Sequence, residues 1–167
     1  EPPDHKGYGN STTIAFDVPD AQTAKHVLLA LSETVAARLR KHGKKAELIS
    51  VEIKGNDLQT VSHQTLLPAP SDITYEIHQA ACRLFDELWD ESPIRLLGVR
   101  AGRLGDGEAR QLNIFDRKKK KKLERLDAAL DYIRKRHGQD AVMRASFLDS
   151  PIDHMSGGIS REKRTVD

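Results

Sequence analysis

The sequence predicts an α+β fold, a four-stranded antiparallel sheet with two helices packed on one of its faces. Three observations carry this. Hydrophobic periodicity switches between two and about 3.6 residues in the order β-α-β-β-α-β. Both helical stretches are apolar on one side only, so each must lie against another layer. The two middle strands are joined by the short turn "GNDLQ", which makes them an antiparallel hairpin. Two helices on one sheet face close this order as a split βαβ arrangement.

Taken in order, residues 1–10 read as a turn-rich linker. "STTIAFDV" (11–18) sets Thr12, Ile14 and Phe16 against Thr13, Ala15 and Asp17, the alternation of a half-buried strand. Asp20 is placed to cap a helix over residues 21–42 with Ala24, Leu28, Leu31, Val35 and Leu39 on one face, stopping at Gly43. "AELISVEIKG" alternates Ile49, Val51 and Ile53 with Ser50, Glu52 and Lys54, and "TVSHQTLL" returns after the turn. Ser71 or Asp72 can cap a second helix over residues 73–91, whose stripe is Ile73, Ile77, Ala81, Leu84 and Leu88, with Trp89 near its end. Pro93 closes it, and "IRLLGVRAGRL" is the last strand. The main domain is thus residues 11–105. Leu123, Leu126, Leu130 and Ile133 then stand at helical spacing in a third helix and extension over 119–148, and residues 149–167 read as a flexible tail.

Composition narrows the class. A chain of 167 residues suits one domain, and 38% hydrophobic against 31% charged residues describes a globular protein with a wet surface. The single cysteine, Cys82, excludes an internal disulfide framework and fits a reducing, cytoplasmic setting. No apolar run approaches the ~18 residues of a membrane span, and no signal peptide opens the chain. Glu1 in place of Met points to a piece of something longer.

No catalytic constellation emerges. Phosphate-cradling glycine loops, zinc-type cysteine pairs and nucleophile elbows are all missing from the sequence. His78 and Cys82 at i, i+4 could bring two metal ligands together, but no third or fourth is in view. Acidic pairs such as Asp86/Asp90 belong to the wet side of the second helix. Binding signals are stronger. The net charge of only +2 conceals cation clusters at residues 38–45, at Arg100 and Arg103, and at 117–122. The sheet face away from the helices would carry Thr13, Ser50, Lys54, Ser62, Gln64 and Arg100, with Glu52 among them. Such a face can meet phosphates without reading bases. With 5% aromatic residues and no aromatic row, it is better suited to a duplex backbone than to stacked single strands.

Four stretches carry a resemblance: "KGYGNSTT", "RLRKHGKKAELISVEIK", "SHQTLL" and "SPIRLLGVRAGRL". In matching order over residues 6–148, they resemble the little finger, the C-terminal DNA-gripping domain of Y-family translesion polymerases of the DNA polymerase IV and V type. The resemblance implies the same β-α-β-β-α-β unit, with its open face along duplex or primer-template DNA. It nominates Lys6, Ser11, Thr12, Lys54, Ser62, His63, Gln64 and Arg100 as phosphate contacts, although His63 stands where relatives often carry arginine and attracts phosphate less when neutral.

"QLNIF" (111–115), within the segment 106–118, resembles the pentapeptide by which bacterial polymerases attach to the β sliding clamp. Gln111 would bond at the pocket rim, and Leu112, Ile114 and Phe115 would be the apolar anchors. Asn113 and Ile114 depart from the usual Gln-Leu-Ser/Asp-Leu-Phe form. Held between a glycine-containing turn and a charged helix, the segment is expected to be extended and partly exposed. The resemblance further implies a parent protein that is a DNA-directed polymerase of DNA repair. The magnesium-holding palm would precede Glu1, so this chain alone would be inactive and without a cofactor. The alternatives are a stand-alone protein-interaction module of the same fold and a small metal enzyme around His78 and Cys82.

Overall fold

The computed structural model describes residues 7–13, 18, 20–106 and 113–158. Among them are four strands, β1 (Gly7–Thr13), β2 (Lys45–Gly55), β3 (Thr60–Ser71) and β4 (Ile94–Gly105), and three helices, α1 (Ala21–Lys41), α2 (Thr74–Leu88) and α3 (Ile114–His137). The sheet order is β1-β4-β2-β3, with every neighbouring pair antiparallel. The expected β-α-β-β-α-β order therefore holds. β1 begins at Gly7, inside the stretch read as linker, and of the residues placed in that strand 14–17 lie outside the described set.

Helices α1 and α2 cover one face of the sheet, and the core lies between the layers. Leu28, Leu31, Val35 and Leu39 of α1 meet Ile77, Leu84 and Phe85 of α2 and the inward row Ile49, Val51, Leu97, Val99 and Ala101, all buried. Local chemistry sets the boundaries. The Asp20 carboxylate accepts from the Thr23 amide at 2.7 Å, capping α1. At the other end Lys44 N–H donates to the Leu39 carbonyl and Gly43 N–H to that of Arg40, a Schellman closure with Gly43 at φ +62°, where a side chain would be strained. The β2–β3 turn folds around Asp57, which accepts from the Gln59 amide at 3.0 Å. A methyl on Gly55 would sit 2.9 Å from that carboxylate, which would have to shift to admit it. α2 is shorter than expected and ends at Leu88. The N-cap is Ile73, which has no capping side chain, rather than the expected Ser71 or Asp72; Ser71 accepts from the Ile73 amide at 3.1 Å, just ahead of the helix. The first helical amide is satisfied from α3 instead: Asp127 accepts from the Thr74 amide at 2.9 Å.

α3 departs from the sequence expectation. It starts at Ile114 rather than near 119, and its buried residues are Asp127 and Arg134, while Leu126 of the apolar spacing is 46% exposed. The reason is that α3 docks by charge. Arg40 of α1 clasps Asp131 with two bonds (2.6 and 3.0 Å) and reaches Asp127 at 3.1 Å, the Asp72 carbonyl at 2.9 Å and Thr74 Oγ at 3.2 Å. Desolvation works against the guanidinium charge, but Asp131 and Asp127 outweigh it and hold the Arg40 pKa above its ordinary value. Glu33, almost fully buried on α1, receives Arg134 at 3.5 Å and Arg144 at 2.5 Å.

Residues 149–158 are likewise not the flexible tail that their composition suggests. Phe147, Ile152 and Met155 are buried, Phe147 stacks on His26 of α1 with ring centroids 4.2 Å apart, and Thr34 donates to the Met155 carbonyl. Apolar side chains spaced too irregularly to show a period still find one surface.

Candidate nucleic-acid interface

The site follows from the register. Direct cross-strand partners share a sheet face. Gly9 pairs with Arg100, Arg100 with Ser50, and Ser50 with Gln64, giving one row across all four strands. The next row runs through positions Ser11, Gly98, Glu52 and Ser62, and the third through Thr13, Leu96, Lys54 and Thr60. Because Ile49, Val51 and Ile53 turn inward under the helices, Ser50, Glu52 and Lys54 turn outward. Ser50, Glu52, Ser62, Gln64, Gly98 and Arg100 line one shallow, open depression on this face.

Arg100 dominates it, and β1 makes room for the side chain. A methyl on Gly7 would come within 2.7 Å of the Ala101 carbonyl and 3.0 Å of Arg100 Nε; one on Gly9 would meet Arg100 Cβ and Cγ at 3.7 Å. The guanidinium thus lies along β1 beside the space that a Gly7 side chain would fill. Behind the sheet, Arg38 of α1 donates to the Gly9 carbonyl at 3.0 Å and steadies the edge strand. In these rows two cations, Arg100 and half-buried Lys54, stand against one carboxylate, Glu52, amid hydroxyl and amide groups, Leu96 and the neighbouring leucine pair Leu48 and Leu66. This surface can bind an anionic backbone; it assembles no nucleophile with a base. Among the described residues no group of three or more His, Cys, Asp or Glu could hold a metal ion.

The sequence-nominated residues divide. Lys54, Ser62, Gln64 and Arg100 come together on the open face. Ser11 and Thr12 lie in β1 opposite Gly98 and Leu97, and Lys6 lies outside the described residues. His63 borders the depression, but its side chain turns away from this face. It is paired with inward-facing Val51, and its Nε2 stands 3.4 Å from the Glu87 carboxylate of α2, because the two-residue period that turns Ser62 and Gln64 outward turns His63 back. The cation cluster at 38–45 is largely spent inside the fold: Arg38 holds β1, Arg40 holds α3, and Lys44 pairs with Asp106 at 2.9 Å.

At the clamp-type segment, Gln111 and Leu112 lie outside the described residues. Ile114 and Phe115 are 69% and 83% exposed, but they form the first turn of α3 rather than an extended peptide. Asn113 is the reason: its side chain accepts from the Asp116 amide at 2.9 Å, a cap that starts the helix here. The pairing of Asn113 with an acid three residues on is a helix-start signal present in the sequence.

His78 and Cys82 make contact at 3.2 Å, with His78 Nε2 also 3.0 Å from the Lys25 carbonyl. Burial lowers the His78 pKa, which favours the neutral ring, but pushes the Cys82 thiol up to about 11, so the thiol is not ready to lose its proton to a metal. No helix among the described residues is long and apolar enough to cross a membrane.

A four-stranded sheet with two helices on one face and a cation-bearing open face is the architecture of Y-family little finger domains. Solved structures agree: the PolIV little finger in complex with the β-clamp processivity factor matches with TM-score 0.51 and 21% identity over 65% of this chain and 97% of that one. A Y-family DNA polymerase chimera matches with TM-score 0.54 and 18% identity over 60% of this chain and 29% of the other. The chain belongs to the impB/mucB/samB family, whose C-terminal domain matches residues 5–114. It is 37% identical over 144 residues to the DNA polymerase IV of Clostridium acetobutylicum, covering 86% of this chain and 36% of that protein. Its identity to the enzyme of Acetivibrio thermocellus is 36% over 146 residues, covering 86% and 37%. The chain therefore spans little more than a third of the length of these curated relatives.

Proposed function

We propose that this domain grips duplex or primer-template DNA through its phosphates, independent of sequence, and tethers a translesion polymerase of DNA repair to a β sliding clamp. The observation that carries the DNA reading is the row Gly9–Arg100–Ser50–Gln64, with Lys54 nearby, on an open face that also carries Leu48, Leu66 and Leu96. Four strands at ~4.8 Å spacing span about 14 Å, close to the ~12 Å width of a major groove. Edge strands β1 and β3 are then placed to meet the two phosphate backbones that flank the groove, with Arg100 and Lys54 supplying charge between them. Backbone contacts of this kind position a protein and carry no sequence information. Polymerase chemistry, on this reading, belongs to the rest of the parent protein.

For the clamp, the supporting observation is the pair Ile114 and Phe115, large, exposed and adjacent to Gln111 and Leu112 in a chain of this family. A PolIV little finger has itself been solved on a β-clamp. If binding requires the extended peptide, the first turn of α3 unwinds and the Asn113 cap breaks, at a cost of about 1 kcal/mol.

Fluorescence anisotropy of a labelled duplex across a salt series tests the first reading. Lys54→Gln with Arg100→Gln should weaken all duplex sequences alike and flatten the slope of log affinity against log salt by about 0.9 for each phosphate no longer neutralised. An unchanged slope defeats the reading. Leu112→Ala with Phe115→Ala should abolish clamp binding, at ~2 kcal/mol or more per anchor; retained affinity would assign attachment elsewhere.

A further inference from the structure

Among the described residues, the first half of α3 holds the densest run of cations. Seven of the nine residues 117–125 are Lys or Arg, against one carboxylate, Glu124. Two of these cations turn inward to α2: Lys119 Nζ stands 5.4 Å from the Tyr75 ring centre and Lys120 Nζ 3.9 Å from the Glu76 carboxylate. Lys118, Lys121, Lys122 and Arg125 stand at i, i+3, i+4 and i+7, on one helix face, and line a single surface depression. Among the described residues none of these four is ion-paired, although the docking of α3 pairs Arg40, Arg134 and Arg144.

We infer that this stripe is a second duplex-DNA contact, separate from the sheet face. Its chemistry favours phosphate over protein. Lysine is depleted from protein–protein interfaces, whose buried centres use apolar and aromatic anchors, and no such anchor lines the depression that these four cations form. Lysine binds phosphate well as a point charge. From Lys118 to Arg125 the helix rises about 10 Å, at ~1.5 Å per residue. One DNA strand presents a phosphate about every 3.4 Å of axis, so the stripe matches about three phosphates. α3 docks on α1 and α2, the layer that covers the inward side of the sheet, through Arg40, Thr74 and Glu76. The stripe is therefore not an extension of the open face, and its contribution adds to whatever the sheet provides.

Quadruple replacement of Lys118, Lys121, Lys122 and Arg125 by glutamine in the full chain tests this, since glutamine keeps helix propensity. Duplex anisotropy is read across salt, with circular dichroism melting as the folding control. Three phosphates correspond to a slope of about 2.7, so between ~50 and ~200 mM salt the unmodified chain should lose about 40-fold more affinity than the variant. Lys119→Gln with Lys120→Gln should leave most of that slope in place. An unchanged slope in the folded quadruple variant overturns the inference. So does displacement of duplex from the unmodified chain by polyglutamate of equal charge as readily as by DNA, which would mark a site for acidic protein. Failure of the sheet-face reading looks different, because it leaves Lys54→Gln/Arg100→Gln without effect and the α3 variant with its own.

Discussion

Replacing Asp127 with alanine removes two bonds that join three helices. The carboxylate accepts from Arg40 at 3.1 Å and from the Thr74 amide at 2.9 Å, and the residue is 3% exposed. Removing one partner of a buried ion pair costs about 3–5 kcal/mol when the other charge is stranded. Arg40 is not stranded, because Asp131 still holds it with two bonds. What remains is a charged hydrogen bond, about 1.5–3 kcal/mol, and a helix cap, about 1 kcal/mol. Their overlap points to a loss of about 2–4 kcal/mol. At ~2–4 °C per kcal/mol for a chain of this size, the melting temperature should fall by about 5–15 °C. Asp127→Asn keeps an acceptor for the Thr74 amide and should lose about half as much. Leu126→Ala, at a position 46% exposed, should change stability by less than ~0.5 kcal/mol. Thermal and urea unfolding followed by far-UV circular dichroism measure all three. If Leu126→Ala costs more than Asp127→Ala, α3 docks by its leucines and the charge-based account is wrong.

Three further outcomes follow from the geometry. Burial lowers the pKa values of His26 and His78, so both are neutral in the folded chain; stability is full above the unfolded histidine pKa of ~6.5 and is lost as pH falls from there toward the folded values. Urea midpoints measured from pH ~8 to ~5.5 should therefore decline, and His26→Phe, which keeps a ring against Phe147, should shrink the decline. Gly7→Ala forces a methyl to 2.7 Å from the Ala101 carbonyl and should cost about 1–3 kcal/mol, whereas Gly9→Ala makes only ordinary contacts; denaturation midpoints separate them. His63→Ala should leave duplex affinity nearly unchanged while Gln64→Ala lowers it, because only Gln64 shares the face of Arg100.

What the sequence makes legible is whatever periodicity encodes. Ser50, Lys54, Ser62, Gln64 and Arg100 are recognisable as one face because strand side chains alternate with period two and their inward neighbours are unmistakably apolar. The same rule, applied to His63, turns its side chain to the opposite side, so its nomination rests on the family resemblance alone. β1 is hard to read because its first residues are "GYG", and glycines bear no side chains to alternate, although Gly7 is what leaves room for the Arg100 guanidinium. The docking of α3 is illegible for a different reason. Leu123, Leu126, Leu130 and Ile133 satisfy a helical stripe, but the interface is decided by Arg40 and Glu33, some ninety residues away in sequence, whose complements cannot be found by local pattern. Phe147, Ile152 and Met155 are hidden in the same way, packed against a surface that the sequence order does not reveal.

The central claim is that the open sheet face meets DNA. Backbone and side-chain chemical-shift mapping of the isotope-labelled chain, titrated with two duplexes of unrelated sequence, tests it residue by residue. The account predicts the same perturbed set for both duplexes: Ser50, Lys54, Ser62, Gln64 and Arg100 on the sheet, together with Lys118, Lys121, Lys122 and Arg125 on α3. It predicts no comparable shift at His63 or Glu87 on the helix side. Perturbations concentrated on α1 and α2 with the open face silent, or a set that changes with base sequence, would contradict it.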